Sequence, residues 1–246
     1  MGDIQNEVVT VVNSGRHAQL ADTLRLWMSN GAASEAEIAW AFGFCFEQGI
    51  DEVVQLAPEF IHLFPNSLFP VSVFFADLQA RRGAFDSASH EARVFLRKLV
   101  LSGVASKLSG EGIIADSAGR AIILLTAVYT HVGARSYSLR VLKRGLEMNL
   151  TPSWKMALDR EASHILNELK SSPSNSAIDE KWERFFDTGV GLEEIRRTCV
   201  SSGADLLLLR MQCIERTLAF DRAFVMDGKE LFSMIYQDSS GNLRLG

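Results

Sequence analysis

Apolar side chains recur at three- and four-residue steps through much of the first 170 residues, the signature of helices that bury one face. Ile38, Ala41, Phe42 and Cys45 make one such stripe, and Val73, Phe75, Ala76 and Ala80 a second. Ile122, Leu125, Thr126 and Tyr129 make a third. Each stripe runs up to a glycine: Gly49, Gly83 and Gly133. Beyond the glycine a second amphipathic stretch begins, as in Val53, Val54, Leu56 and Ile61, or Phe85, Ala88, Ala92 and Phe95. Glycine adopts the left-handed backbone that ends one helix and redirects the chain into the next. The pattern predicts helical hairpins, each too small to cover its own apolar face and therefore stacked on its neighbours. Pro58 falls inside the second helix of one hairpin, where it should kink or break that helix.

The glycines are also evenly placed. Gly15, Gly49 and Gly83 are 34 residues apart (49 − 15 and 83 − 49), and Gly133 follows after 50, which is 34 plus an insertion of 16. A fixed period of this size marks a repeat architecture. With the stretches Leu125-Thr126-Ala127-Val128-Tyr129-Thr130-His131-Val132-Gly133 and Phe75-Ala76-Asp77-Leu78-Gln79-Ala80-Arg81-Arg82-Gly83, the chain resembles the tetratricopeptide-repeat family over roughly residues 1–170. The family pairs a small residue seven before the turn glycine with another five after it. Here those are Ala76 with Ala88 and Thr126 with Ser138, whereas Val8 with Leu20 and Phe42 with Val54 depart from the pattern. Its aromatic four before the glycine is Tyr129, and Pro65 and Pro152 echo its proline near the repeat end.

The resemblance implies a mainly α fold, a right-handed α-solenoid of stacked helical hairpins. It also implies a concave groove lined by the first helix of each hairpin. Mapped onto this sequence, Asn13, Phe46, Glu47, Asp77, Arg81, Thr130 and His131 would line that groove and hold a peptide or a partner protein. The family's best-known clamp grips a terminal carboxylate with Lys, Asn and Arg. Ala39, Gly43, Val73 and Asp77 stand where those would be wanted, so an amphipathic helix or an extended peptide is the expected ligand instead. Alanine at Phe46 and Arg81 is expected to weaken partner capture while leaving melting intact.

The remainder of the chain reads differently. Residues 103–118 contain Gly103, Ser106, Ser109, Gly110 and Gly112, a loop composition, and are expected to interrupt the repeat domain of residues 1–170. Gly110-Glu111-Gly112 matches neither GxxxxGK[ST] nor GxGxxG. Thr151-Pro152 starts a closing helix that runs to about Leu169, with the hydroxyl as cap and proline in the first turn. Residues 171–177 read as a linker and 178–246 as a small C-terminal segment, helical and then β. There Ser176 and Asp179 are placed to cap a short helix carrying Trp182, Phe185 and Phe186. Leu231–Tyr236 is a strand candidate between the turn pairs Asp227-Gly228 and Ser240-Gly241, which suggests a β-hairpin.

Composition narrows the function. The 246 residues are 47% hydrophobic and 22% charged, ordinary globular usage. The net charge is −5 and basic residues cluster only in pairs, so no nucleic-acid partner is expected. Cys45, Cys199 and Cys213 form no CxxC and no metal spacing, which suits reduced thiols in a cytoplasmic protein. No uninterrupted apolar run of 18 residues and no signal-like start is seen, so no membrane association is expected. No two of His17, His62, His90, His131 and His164 are four apart, His90-Glu91 does not continue into HExxH, and GxSxG is absent. Hence no catalytic residue, metal or cofactor is expected. The leading expectation is a protein-interaction module. Its rivals are an N-terminal accessory part of a larger enzyme such as a transferase, and a self-associating scaffold forming a homo-oligomer.

Overall fold

The computed structural model describes residues 3–131, 133–172, 179–181, 235–237 and 243–245. These are mainly helical. The helices are α1 (Asp3–Asn13), α2 (His17–Asn30), α3 (Glu35–Glu47), α4 (Asp51–Val54), α5 (Ala57–Leu63), α6 (Val71–Arg81), α7 (Phe85–Leu101), α8 (Ile113–His131), α9 (Arg135–Glu147) and α10 (Pro152–Ser171). A single 3-10 turn, Ala105–Lys107, lies between α7 and α8. The chain forms two compact units, Met1–Lys98 and Leu99–Gly246. The boundary expected at residues 171–177 falls mostly on residues outside those described.

One backbone device recurs at all four turn glycines. Gly15, Gly49, Gly83 and Gly133 have φ of 71°, 70°, 76° and 89°. In each case the glycine N–H donates three residues back and the following N–H donates five back. The pairs are Gly15 to Val12 (2.9 Å) with Arg16 to Val11 (3.3 Å), and Gly49 to Phe46 (3.0 Å) with Ile50 to Cys45 (2.8 Å). Gly83 to Ala80 (3.0 Å) with Ala84 to Gln79 (2.9 Å), and Gly133 to Thr130 (3.0 Å) with Ala134 to Tyr129 (2.9 Å), repeat it. This is the Schellman closure: it satisfies carbonyls at the helix end that would otherwise lack donors, and it needs a residue free of Cβ strain.

In the first unit, α3 lies against both α1 and α6, and α4 against both α2 and α6. First helices therefore neighbour first helices, in chain order. Val8, Leu20, Phe42 and Val54 are fully buried, so larger side chains fill the positions where the family has small ones. Phe42 meets Phe60 edge-on, with centroids 5.6 Å apart. The second helix of hairpin two is divided into α4 and α5, and Pro58 sits in the first turn of α5. That is the place where a missing N–H costs no helical hydrogen bond. Ser34 and Glu37 form a capping box at the start of α3, with Ser34 N–H donating to Glu37 at 2.9 Å and Glu37 N–H to Ser34 Oγ at 3.3 Å.

In the second unit, α8 packs on α9 and on α10. Close approach is built from small residues. Ser138 Oγ on α9 donates to the Thr126 carbonyl of α8 at 3.2 Å, and both residues are buried. A Cβ on Gly119 would come within 2.4 Å of the Trp154 ring, and one on Gly145 within 2.8 Å of Ile122 and 2.9 Å of Leu158. The expected insertion is shorter than 103–118. Residues 113–118 are the first turns of α8, because Ala115 and Ala118 are buried as part of its packed face. Helix α8 is also long and apolar enough to cross a membrane by length and composition, and more than half of it is buried within the protein. Asp116 and Arg120 interrupt its apolar run. The helix expected from Thr151-Pro152 is α10, with Thr151 Oγ1 accepting from Trp154 N–H at 3.3 Å.

Two short strands, β1 (Ile235–Gln237) and β2 (Leu243–Leu245), pair antiparallel with Tyr236 opposite Arg244. The residues joining them, with the expected turn at Ser240-Gly241, lie outside the described residues, as do Trp182, Phe185, Phe186 and Leu231–Met234.

Two kinds of glycine should respond differently to alanine. At Gly49 no atom lies within 4 Å of the added Cβ, so only the left-handed backbone is strained and the cost should be about 1 kcal/mol. At Gly119 the methyl group strikes an aromatic ring, and overpacking of about 1–3 kcal/mol or more is expected. Urea denaturation of Gly49→Ala and Gly119→Ala should rank them in that order.

Candidate functional site

The seven residues assigned to a groove fall on two units, so each set is described on its own. In the first unit, Asn13 and Glu47 are exposed at the ends of α1 and α3, both two residues before their turn glycines. Arg81 holds the same place on α6 and is about half exposed. Three residues before the glycines stand Val12, Phe46 and Ala80, all half-buried. The first helices thus end in a partly apolar row edged by polar side chains. Farther up the helices the lining ends: Ala39, Gly43 and Val73 are buried and present nothing to a ligand.

Arg81 is already engaged. Its guanidinium reaches Asp77 one turn back at 3.3 Å and Asp51 at the start of α4 at 3.3 Å, and Arg82 reaches the other Asp51 oxygen at 3.7 Å. Asp51 is the first residue of α4, where a carboxylate also meets the positive end of the helix dipole. Arg81 is 48% exposed, so water screens these pairs and each contributes little.

Phe46 is engaged as well. Its ring stacks on Phe74 of α6 with centroids 4.8 Å apart and planes 20° from parallel. It is therefore a packing residue between hairpins, and the expectation that its removal leaves melting intact does not suit this geometry. Trp40 and Phe44, stacked at 5.2 Å on α3, form a second half-buried aromatic pair that the sequence reading passed over. Their four-residue spacing was the available signal.

In the second unit, Thr130 Oγ1 donates to Ser138 Oγ at 3.0 Å, stitching α8 to α9, and His131 is exposed on the last turn of α8. A separate shallow cleft of about 700 Å³ lies where the loop before α8 meets the start of α10. Its lining includes Ser109, Glu111, Thr151, Lys155 and Met156, and Asn149 closes one wall by donating to the Leu108 carbonyl at 2.7 Å.

Titratable groups with displaced proton affinity concentrate on α7. Burial raises the Glu91 carboxyl and Lys98 pulls it back. Burial lowers Lys98, opposed by Glu91 and Glu35. Burial and the neighbouring Arg93 lower His90. These are mutual electrostatic influences among groups of α7, with Glu35 of α3 adding to them. Among the described residues no three His, Cys, Asp or Glu side chains converge as a metal site would require. Burial pushes the Cys45 thiol up to about 12, which leaves it protonated and a poor nucleophile at neutral pH. Cys199 and Cys213 lie outside the described residues.

Compared with known proteins, the chain matches no family model, no curated protein and no solved structure at a significant level.

The two aspects of the row separate by mutation. Phe46→Ala, which loses a stacked ring and half-buried area, should destabilise the protein by about 2–3 kcal/mol. Arg81→Ala, which loses only screened pairs, should cost less than about 1 kcal/mol. Chemical denaturation measures both.

Proposed function

We propose that this protein is an α-solenoid resembling the tetratricopeptide-repeat proteins, and that it captures a peptide or partner protein on the surface made by its first helices. One observation carries the reading: the same left-handed closure at Gly15, Gly49, Gly83 and Gly133, with an exposed side chain two residues before each. Within the first unit, a turn repeated every 34 residues aligns the ends of successive first helices, so their side chains form a row rather than scattered points. In this reading Asn13, Glu47 and Arg81 are the polar edge there, with Phe46 and Asp77 beside it, and Thr130 and His131 hold the corresponding places on the second unit. The paired strands β1 and β2 belong, in the same reading, to a small C-terminal hairpin turning at Ser240-Gly241.

Such a row suits a ligand with one apolar face and charged flanks, an amphipathic helix or an extended peptide. Apolar burial at about 25 cal/mol per Å² would supply most of the affinity, and the charges would set direction and register.

Selection from a random peptide library against the whole chain tests the proposal. Peptides that bind should lose at least about tenfold in Kd on the Glu47→Ala/Arg81→Ala variant, whose exposed positions leave stability nearly unchanged. Binding that is indifferent to both changes would move the site elsewhere, and recovery of no peptide at all would remove the interaction reading.

A further inference from the structure

Helix α9 starts without a cap of its own. Its N-cap is Ala134, and no acidic residue stands in its first turn. The four leading N–H groups of a helix need acceptors, and the dipole there attracts negative charge. The acceptor comes from far along the chain. Ser136 N–H donates to Asp179 Oδ1 at 2.8 Å, and Ser136 Oγ–H donates to Asp179 Oδ2, across 43 residues of sequence. The Arg135 N–H also donates to this carboxylate. Asp179 is 5% exposed. The sequence had placed Asp179 in a local capping box with Ser176; its carboxylate instead binds both polar groups of Ser136, so it caps another helix.

We infer that Asp179 is the anchor of a strap: its carboxyl group caps α9 from outside the helix and ties the chain around residues 179–181 to the helical bundle. The capping geometry provides the tie, and the burial adds a pH response. A carboxylate withdrawn from water is disfavoured, and that effect outweighs the Ser136 and Arg135 donors and the Arg135 charge, so the docked group holds its proton above the ordinary carboxylate range. The docked state therefore binds more protons than the released one. Docking is strongest below the ordinary aspartate value, weakens as pH rises through the raised one, and is constant above it.

Among the described residues, the charged groups around this site lie on α9, on α10 and on the segment of Asp179 itself. Arg135 Nε also holds Glu168 of α10 at 2.9 Å, and the other Glu168 oxygen lies 3.5 Å from His164 Nε2. Glu180 and Lys181 flank Asp179 on its own segment. His164 sits two residues removed from Asp179 through Arg135 and Glu168.

Hydrogen exchange of the Ser136 amide, corrected for its intrinsic rate, tests the strap in the whole chain at about pH 5 and about pH 8. Protection in the wild type should be greater at the lower pH. Asp179→Ala should abolish most protection at both, by about tenfold or more. Asp179→Asn, which keeps an acceptor oxygen without a charge, should protect equally at both, and His164→Gln should retain the wild-type pH response. If Asp179→Ala does not fold, Ser136→Ala takes its place, since it deletes one of the two Ser136 bonds and should lower protection partway. Unchanged exchange in Asp179→Ala, or in that substitute, overturns the strap. A wild-type pH response persisting in Asp179→Asn, or vanishing in His164→Gln, overturns the role of the Asp179 proton.

Discussion

The left-handed glycine at the end of each first helix is the constraint on which the rest depends. It closes carbonyls that no other donor would reach and turns the chain back within two residues. Because the next helix starts at a fixed point relative to the last, the apolar stripes on the two helices of a hairpin must face each other. A residue with a side chain could still occupy the turn, but only against the strain of its own Cβ, and that strain would recur at each hairpin.

Given that turn, packing follows from side-chain size. Where helices approach closely, the second unit uses the Ser138 hydroxyl on the Thr126 carbonyl between α8 and α9, and bare glycine at Gly119 against α10 and at Gly145 against α8 and α10. The first unit uses bulk instead, with Val8, Leu20, Phe42 and Val54 fully buried and Phe46 stacked on Phe74. Both solutions bury the side chains between the helices, and close packing of that kind favours a single native arrangement. They leave different vulnerabilities, to added volume in one unit and to removed volume in the other.

Much of the helical order was legible because its signals are local. Glycine spacing located the turns, the three- and four-residue stripes located the buried faces, and Pro58 located the break between α4 and α5. What stayed hidden depends on distant partners. Nothing near Asp179 announces Ser136, and nothing near Phe46 announces Phe74. Residues 113–118 read as part of the loop because the glycines and serines from Gly103 to Gly112 set the composition of that stretch; the contact of Asp116 with Trp154 of α10 is not visible in the local sequence. Of the proposed groove, the exposed positions could be read from spacing to the glycine. The engagement of Arg81 with Asp51 could not, since those two lie on different hairpins.

The divided second helix of hairpin two has an electrical side. Breaking one helix into α4 and α5 creates an extra positive terminus, and each piece carries an acidic residue in its first turn, Asp51 and Glu59. Each is met by arginine from a different neighbour: Asp51 by Arg81 and Arg82 of the following hairpin, Glu59 by Arg25 of the preceding one at 3.2 Å. The middle hairpin is therefore moored fore and aft by ionic lines that lie in water. Concentrated electrolyte slackens such moorings while leaving the oily interior untouched, so the grip of this hairpin on its neighbours varies a little with the saltiness of its surroundings.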